Sequence, residues 1–179
     1  MKITEFGRIR EKVYIHEHSS GLKAFVIPKK GYNRIYSTFA ANYGSINNTF
    51  VAPDEDEATR VPDGIAHFLE HKLFEQEDGS VMDKFSRLGA DSNAYTSFTQ
   101  TVYLFSCTDS FDENFRLLID FVQNPYLTDE NVEKEKGIIG QEIKMYDDNA
   151  DWRVFFNLLN AMYVNHPVST DIAGTVESI

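Results

Sequence analysis

The hydrophobic positions of this chain change period, from about two residues in its first part to about 3.6 in its last. Lys12 to His18 and Leu22 to Pro28 alternate and are joined through Ser19-Ser20-Gly21, which predicts a hairpin, and Arg34 to Tyr43 predicts a third strand. Asn47 to Asp63 follows neither period. With Pro53, Pro62 and the run Asp54-Glu55-Asp56-Glu57, it reads as a solvated loop that ends in a turn and helix cap at Pro62-Asp63-Gly64. Ser80 to Leu88 predicts a short helix capped by Ser80 and ended by Gly89. Ser92 to Phe98 and Thr101 to Ser106 predict a second hairpin around Thr99-Gln100.

Beyond these strands the period is helical. Ser110 and Glu113 have capping-box spacing, and Phe111, Phe115, Leu118 and Val122 follow at helical intervals until Pro125. A long helix begins after Thr128. A final helix, Asp151 to Val164, places Trp152, Phe155, Phe156, Leu159 and Met162 on one face, which reads as core or interface. No repeat, low-complexity tract or Gly/Ser linker marks an internal boundary, so residues 1–179 are expected to form one domain.

Composition narrows the function. A formal net charge of −11 and a pI of about 4.8 argue against a phosphate-binding surface, so nucleic acid is not an expected partner. Cys107 is the only cysteine, which excludes an internal disulfide and suits a small buried hydrophobe in a strand. Met1 to Gly7 holds no apolar signal region and no later window has the apolar length of a membrane span, so the expected location is cytoplasmic, with no membrane partner.

The candidate chemistry lies in Gly64 to Phe74. On a helix, His67 and His71 stand at i and i+4 on one face with Glu70 on its flank, while Ile65, Phe68, Leu69 and Leu73 fall on the other side. Two imidazoles and a carboxylate suit zinc, whose catalytic sites typically take three protein ligands, and Glu70 is placed to accept a proton from water. Cobalt or manganese could substitute in such a site. A third ligand is sought in the long helix, where Val132, Glu135, Ile139, Glu142 and Tyr146 follow one stripe. A carboxylate buried on a hydrophobic stripe normally finds a cation or takes a proton, and a metal ion would be such a partner, which makes Glu142 a candidate third ligand and Glu135 a supporting group. His16 and His18 share a strand face without further ligands, and a solvated face is the preferred reading for them.

These residues resemble the pitrilysin/insulinase-type zinc metallopeptidases, the inverzincins, through His67-Phe68-Leu69-Glu70-His71, Gly89 to Thr96 and Glu135 to Glu142. Bacterial processing-peptidase-like members are the most similar in pattern. The resemblance implies an α+β fold, mainly antiparallel sheet packed against helices, forming one half of a two-half clamshell subunit. It implies an endopeptidase with Zn²⁺ held by His67, His71 and Glu142, Glu70 as general base and Glu135 as a supporting carboxylate. Asn93 and Ala94 would help to bind the peptide substrate as an added strand. It further implies that residues 1–179 are the amino-terminal, zinc-binding part of a longer chain, and that the working unit includes a missing second half and a homodimeric or related partner subunit. Two rival readings are a non-catalytic scaffold of the same fold and a regulatory metal-binding module. A thermolysin-like site has its glutamate and second histidine in a different order.

Overall fold

The computed structural model of the protein describes residues 1–179. The chain divides into two compact units, Met1–Asn33 and Arg34–Ile179. The first is a three-stranded antiparallel sheet in the order β1 (Lys2–Phe6), β2 (Glu11–Glu17), β3 (Lys23–Val26). The predicted hairpin is β2–β3, with Tyr14 opposite Val26. β1 is an addition: its five residues pair with β2 from Lys2↔Ile15 to Phe6↔Glu11, and its alternation is too short to stand out. His16 and His18 are exposed, and His18 Nδ1 lies 2.9 Å from the Ser20 hydroxyl.

The second unit is built around an antiparallel sheet in the order β4-β10-β9, where β4 is Ile35–Ala41, β9 Asp91–Thr96 and β10 Thr101–Cys107. β10 is central and almost wholly buried, and β9 forms one edge. The stretch expected to be loop holds a small hairpin, β5 (Thr49–Val51) with β6 (Ala58–Arg60); three-residue strands carry too little alternation to be recognised. Asp54 to Glu57 are exposed, as expected. A two-residue ribbon, β7 (Glu75–Gln76) with β8 (Gly79–Ser80), joins the first two helices.

Five helices accompany this sheet: α1 (Ile65–Leu73), α2 (Val81–Arg87), α3 (Phe111–Gln123), α4 (Asp129–Asp147) and α5 (Ala150–Met162). The core lies where α1, α2 and α3 meet the sheet. Phe74, Val81, Phe85, Tyr103, Phe105, Cys107, Leu118 and Phe121 form it. Phe74 and Phe85 both meet Phe121, at ring-centroid distances of 5.2 and 6.1 Å. The fold is the α+β class expected from the sequence.

The helix starts differ in detail from expectation: Ser80 stands at the cap position of α2 but gives no side-chain hydrogen bond. Ser110 precedes α3 with φ of 52° and gives no side-chain cap; instead the Asn114 amide donates to its carbonyl at 2.9 Å. Asp63 does not cap α1 either, because its carboxylate accepts from Asn48 Nδ2 at 2.8 Å. The cap position is Gly64, with φ of 92°. A Cβ there would lie 2.3 Å from the Ala173 carbonyl oxygen, so glycine is required both by conformation and by space. Thr128 caps α4 as a capping box, with Asn131 as its reciprocal partner.

Candidate metal centre

α1 carries its chemistry on a helix buried on more than one side. Phe68 packs inward, but Glu70 and Lys72 are also buried, Lys72 completely, with its ammonium bonded to the Glu75 carboxylate. The expectation of one packing face and one chemical face is therefore too simple: α1 is covered by α4 as well as by the sheet. This covering brings two distant stretches of chain together.

The i, i+4 pair on α1 is a close pair, with ring centroids of His67 and His71 4.6 Å apart. Both rings turn Nε2 toward Glu142 on α4. His67 Nε2 lies 3.8 Å from one carboxylate oxygen, and His71 Nε2 lies 3.4 Å from the other. One ligand atom from each of the three residues falls within 4.8 Å of the others. Two imidazole nitrogens and one carboxylate converging in this way fit a zinc ion in the nature of the donors and in their spacing.

The remaining predicted carboxylates stand around this cluster. Glu135, two turns before Glu142, is buried and places Oε1 3.0 Å from His71 Nδ1. With His71 neutral, Nδ1–H donates to Glu135 and leaves the Nε2 lone pair facing the cluster, the arrangement by which an outer carboxylate orients a ligating histidine. Glu70 is also buried, and its Oε2 accepts a hydrogen bond of 2.5 Å from the Thr96 hydroxyl on β9. Burial raises the Glu70 carboxyl above its ordinary value, partly opposed by the Thr96 bond. His67 shifts the other way: burial first, then the neighbouring His71, lowers it from 6.5 to about 4. The ring therefore stays neutral through the weakly acidic range.

That shift predicts a pH dependence of the metal-free protein. The unfolded chain protonates His67 below about 6.5 and the folded chain only near 4, so this contribution is fully present above 6.5 and is lost as pH falls through about 4. Urea unfolding of metal-free protein should show a loss on the order of 2 kcal/mol between pH 7 and pH 4.5 that His67→Gln reduces. An unchanged pH dependence in His67→Gln would contradict the assignment.

The two predicted peptide-binding positions lie on β9. Asn93 is exposed and Ala94 half-buried, and β9 pairs with β10 only, so its outer edge is open. The Asn93 side-chain oxygen accepts the Ala94 backbone N–H at 2.9 Å. A cavity of about 270 Å³ runs from Ala94, Tyr95 and Thr96 past the histidines to Glu142 and on to Tyr146, Trp152 and Asp171. Thr96, Trp152 and Asp171 were not singled out by sequence. Trp152 reads as one more residue of an aromatic core stripe, and Asp171 lies in an aperiodic segment; only tertiary packing brings them to the cavity.

Residues 56–176 match the family model described as insulinase (Peptidase family M16). A Bacillus subtilis protein named uncharacterized zinc protease YmfH is 57% identical over 179 residues, all of this chain and 42% of that protein. Among solved structures, a chain from Alicyclobacillus acidocaldarius described as an M16-like peptidase has a TM-score of 0.88 at 46% identity, over 94% of this chain and 39% of that one. A protease from Helicobacter pylori has a TM-score of 0.80 at 23% identity, over 94% of this chain and 40% of that one, a likeness of fold alone. The chain thus spans less than half the length of these proteins, and no helix is long and apolar enough to cross a membrane. With the inverted histidine–glutamate pattern on α1 and a family match that takes in α1 through α5, the chain belongs to the insulinase family of peptidases, family M16.

Proposed function

We propose that this chain is the zinc-binding, catalytic part of an endopeptidase that cleaves peptides or small unfolded polypeptides. The observation that carries the reading is the convergence of His67, His71 and Glu142 within 4.8 Å, with the buried Glu70 on the same helix. His67, His71 and Glu142 would hold the ion. Bound there, zinc would supply Lewis acidity toward a peptide carbonyl and lower the pKa of water toward neutrality.

The chain's own residues provide the rest. The Thr96 hydroxyl fixes Glu70 Oε2, leaving Oε1 to take a proton from the attacking water and return it to the departing amine nitrogen. Its raised affinity for protons suits both halves of that transfer. Glu135 keeps His71 in the tautomer that presents Nε2. The open edge of β9 binds the substrate as an added strand, and a substrate carbonyl replaces the Asn93 side chain on the Ala94 N–H.

Residues 1–179 act as one amino-terminal half, and the working cytoplasmic enzyme closes around its substrate with a second half and a paired subunit, identical or related. Peptide hydrolysis by the purified full-length protein should be abolished by a strong chelator and restored by stoichiometric zinc. Hydrolysis that continues at the parent rate in verified zinc-free protein would overturn the reading. Tight zinc binding without cleavage of any peptide would favour a metal-binding scaffold instead.

A further inference from the structure

One wall of the cavity has no part in the proposed proton transfer. Trp152, in the first turn of α5, donates its indole Nε1–H to Asp171 Oδ2 at 2.5 Å. The indole stacks on Tyr146, with ring centroids 4.7 Å apart and planes 25° from parallel. Tyr146 lies one turn beyond Glu142 on α4, so this stack stands directly behind a proposed ligand. The other Asp171 oxygen accepts the Ala173 backbone N–H at 3.0 Å. Both partners are donors. An ionised carboxylate satisfies them together, whereas an amide would turn its own NH₂ toward one of them.

The segment that carries Asp171 is also fastened to the start of α1. The Ala173 carbonyl closes on Gly64, and Gly174 (φ of 75°) is so near the Asp63 carbonyl that a Cβ would lie 2.4 Å from its oxygen. Ser178 Oγ donates to that same Asp63 carbonyl at 2.8 Å. α1 holds His67, whose Nδ1 is buried and has no partner of its own, unlike Nδ1 of His71. His67 thus has no counterpart of Glu135 to orient it and depends on how firmly α1 is held.

We propose that Asp171 is a positioning residue of the metal centre. It locks the Trp152–Tyr146 wall behind Glu142 and ties that wall to the start of the His67 helix, so that ligands from α1 and α4 keep their spacing. The inference rests on the zinc reading above.

The test compares zinc affinity, by competition with a chromophoric chelator, in the purified parent, Asp171→Asn, Trp152→Phe and the double variant. The Trp152 indole N–H resonance, assigned by its absence in Trp152→Phe, is followed in parallel. Each single variant should bind zinc about tenfold more weakly or worse. The double variant should be no weaker than the worse single, because both loosen the same link from Trp152 through residue 171 to Ala173. The indole N–H of Asp171→Asn should exchange faster with solvent. Either single variant binding zinc as tightly as the parent would overturn the proposal, even if its melting temperature falls, and so would singles whose losses simply add. Should Asp171→Asn fail to fold, Trp152→Phe decides alone. A parent that binds no zinc would fail the metal reading itself, and the inference with it.

Discussion

Glu70→Gln is expected to lower peptide hydrolysis by about 10² to 10⁴-fold while leaving the zinc content at the parent level. The substitution keeps the size of the side chain, and its amide oxygen can still accept the Thr96 hydroxyl that now bonds Oε2. What disappears is the ability to hold a proton. Glu70 is outside the three-residue cluster, so the donor set for the metal is untouched. Folding stability should hold or rise slightly, because burial already disfavours the ionised carboxylate, as its raised proton affinity indicates. Steady-state kinetics and elemental analysis on the same preparation check both halves of the expectation. A variant that loses its zinc along with its activity would instead make Glu70 a structural support of the centre, and one that keeps the parent rate would remove it from the mechanism.

Glu142→Ala should have the largest effect on the metal. The two histidines would remain close together on α1, but a two-nitrogen site lacks the charge and the third donor that a zinc centre uses. Zinc affinity should fall by more than about a hundredfold, beyond the range usual for changes to the surrounding groups. Glu135→Ala provides the contrast. It removes only the acceptor for His71 Nδ1, so zinc should still bind, about tenfold more weakly. Chelator competition measures both constants. Equal losses in the two variants would contradict the division between ligand and supporting carboxylate.

The elements that position this site were legible because each is long enough to carry its own period. The α1 histidines are a local feature at fixed spacing, and α4 shows its inward stripe across 19 residues, with Glu135 and Ile139 buried on it. Pairing the two stretches rested on the chemical point that a carboxylate on such a stripe finds a cation or takes a proton, read together with the two histidines of α1. The sequence was silent where few residues or a distant partner decide the outcome. β5 and β6 are three residues each, and β1 depends on β2 for its hydrogen bonds. Ser110 and Asp63 have the chemistry of helix caps, yet a left-handed backbone at one and the Asn48 amide at the other take them out of that role. Lys72 would be placed in solvent by any hydropathy pattern, but it is buried and pairs with the half-buried Glu75, three residues on. Asp171 and Trp152, 19 residues apart, meet only through the folded backbone around Gly64 and Gly174.

The most direct test of the metal centre is an X-ray data set from zinc-loaded crystals of the protein, collected on both sides of the zinc absorption edge. An anomalous peak that vanishes below the edge is expected between the Nε2 atoms of His67 and His71 and the carboxylate of Glu142, at about 2.0 to 2.2 Å from each. A peak bound elsewhere, or no peak at this cluster in crystals shown to contain zinc, would contradict the assignment of these three residues as the metal ligands.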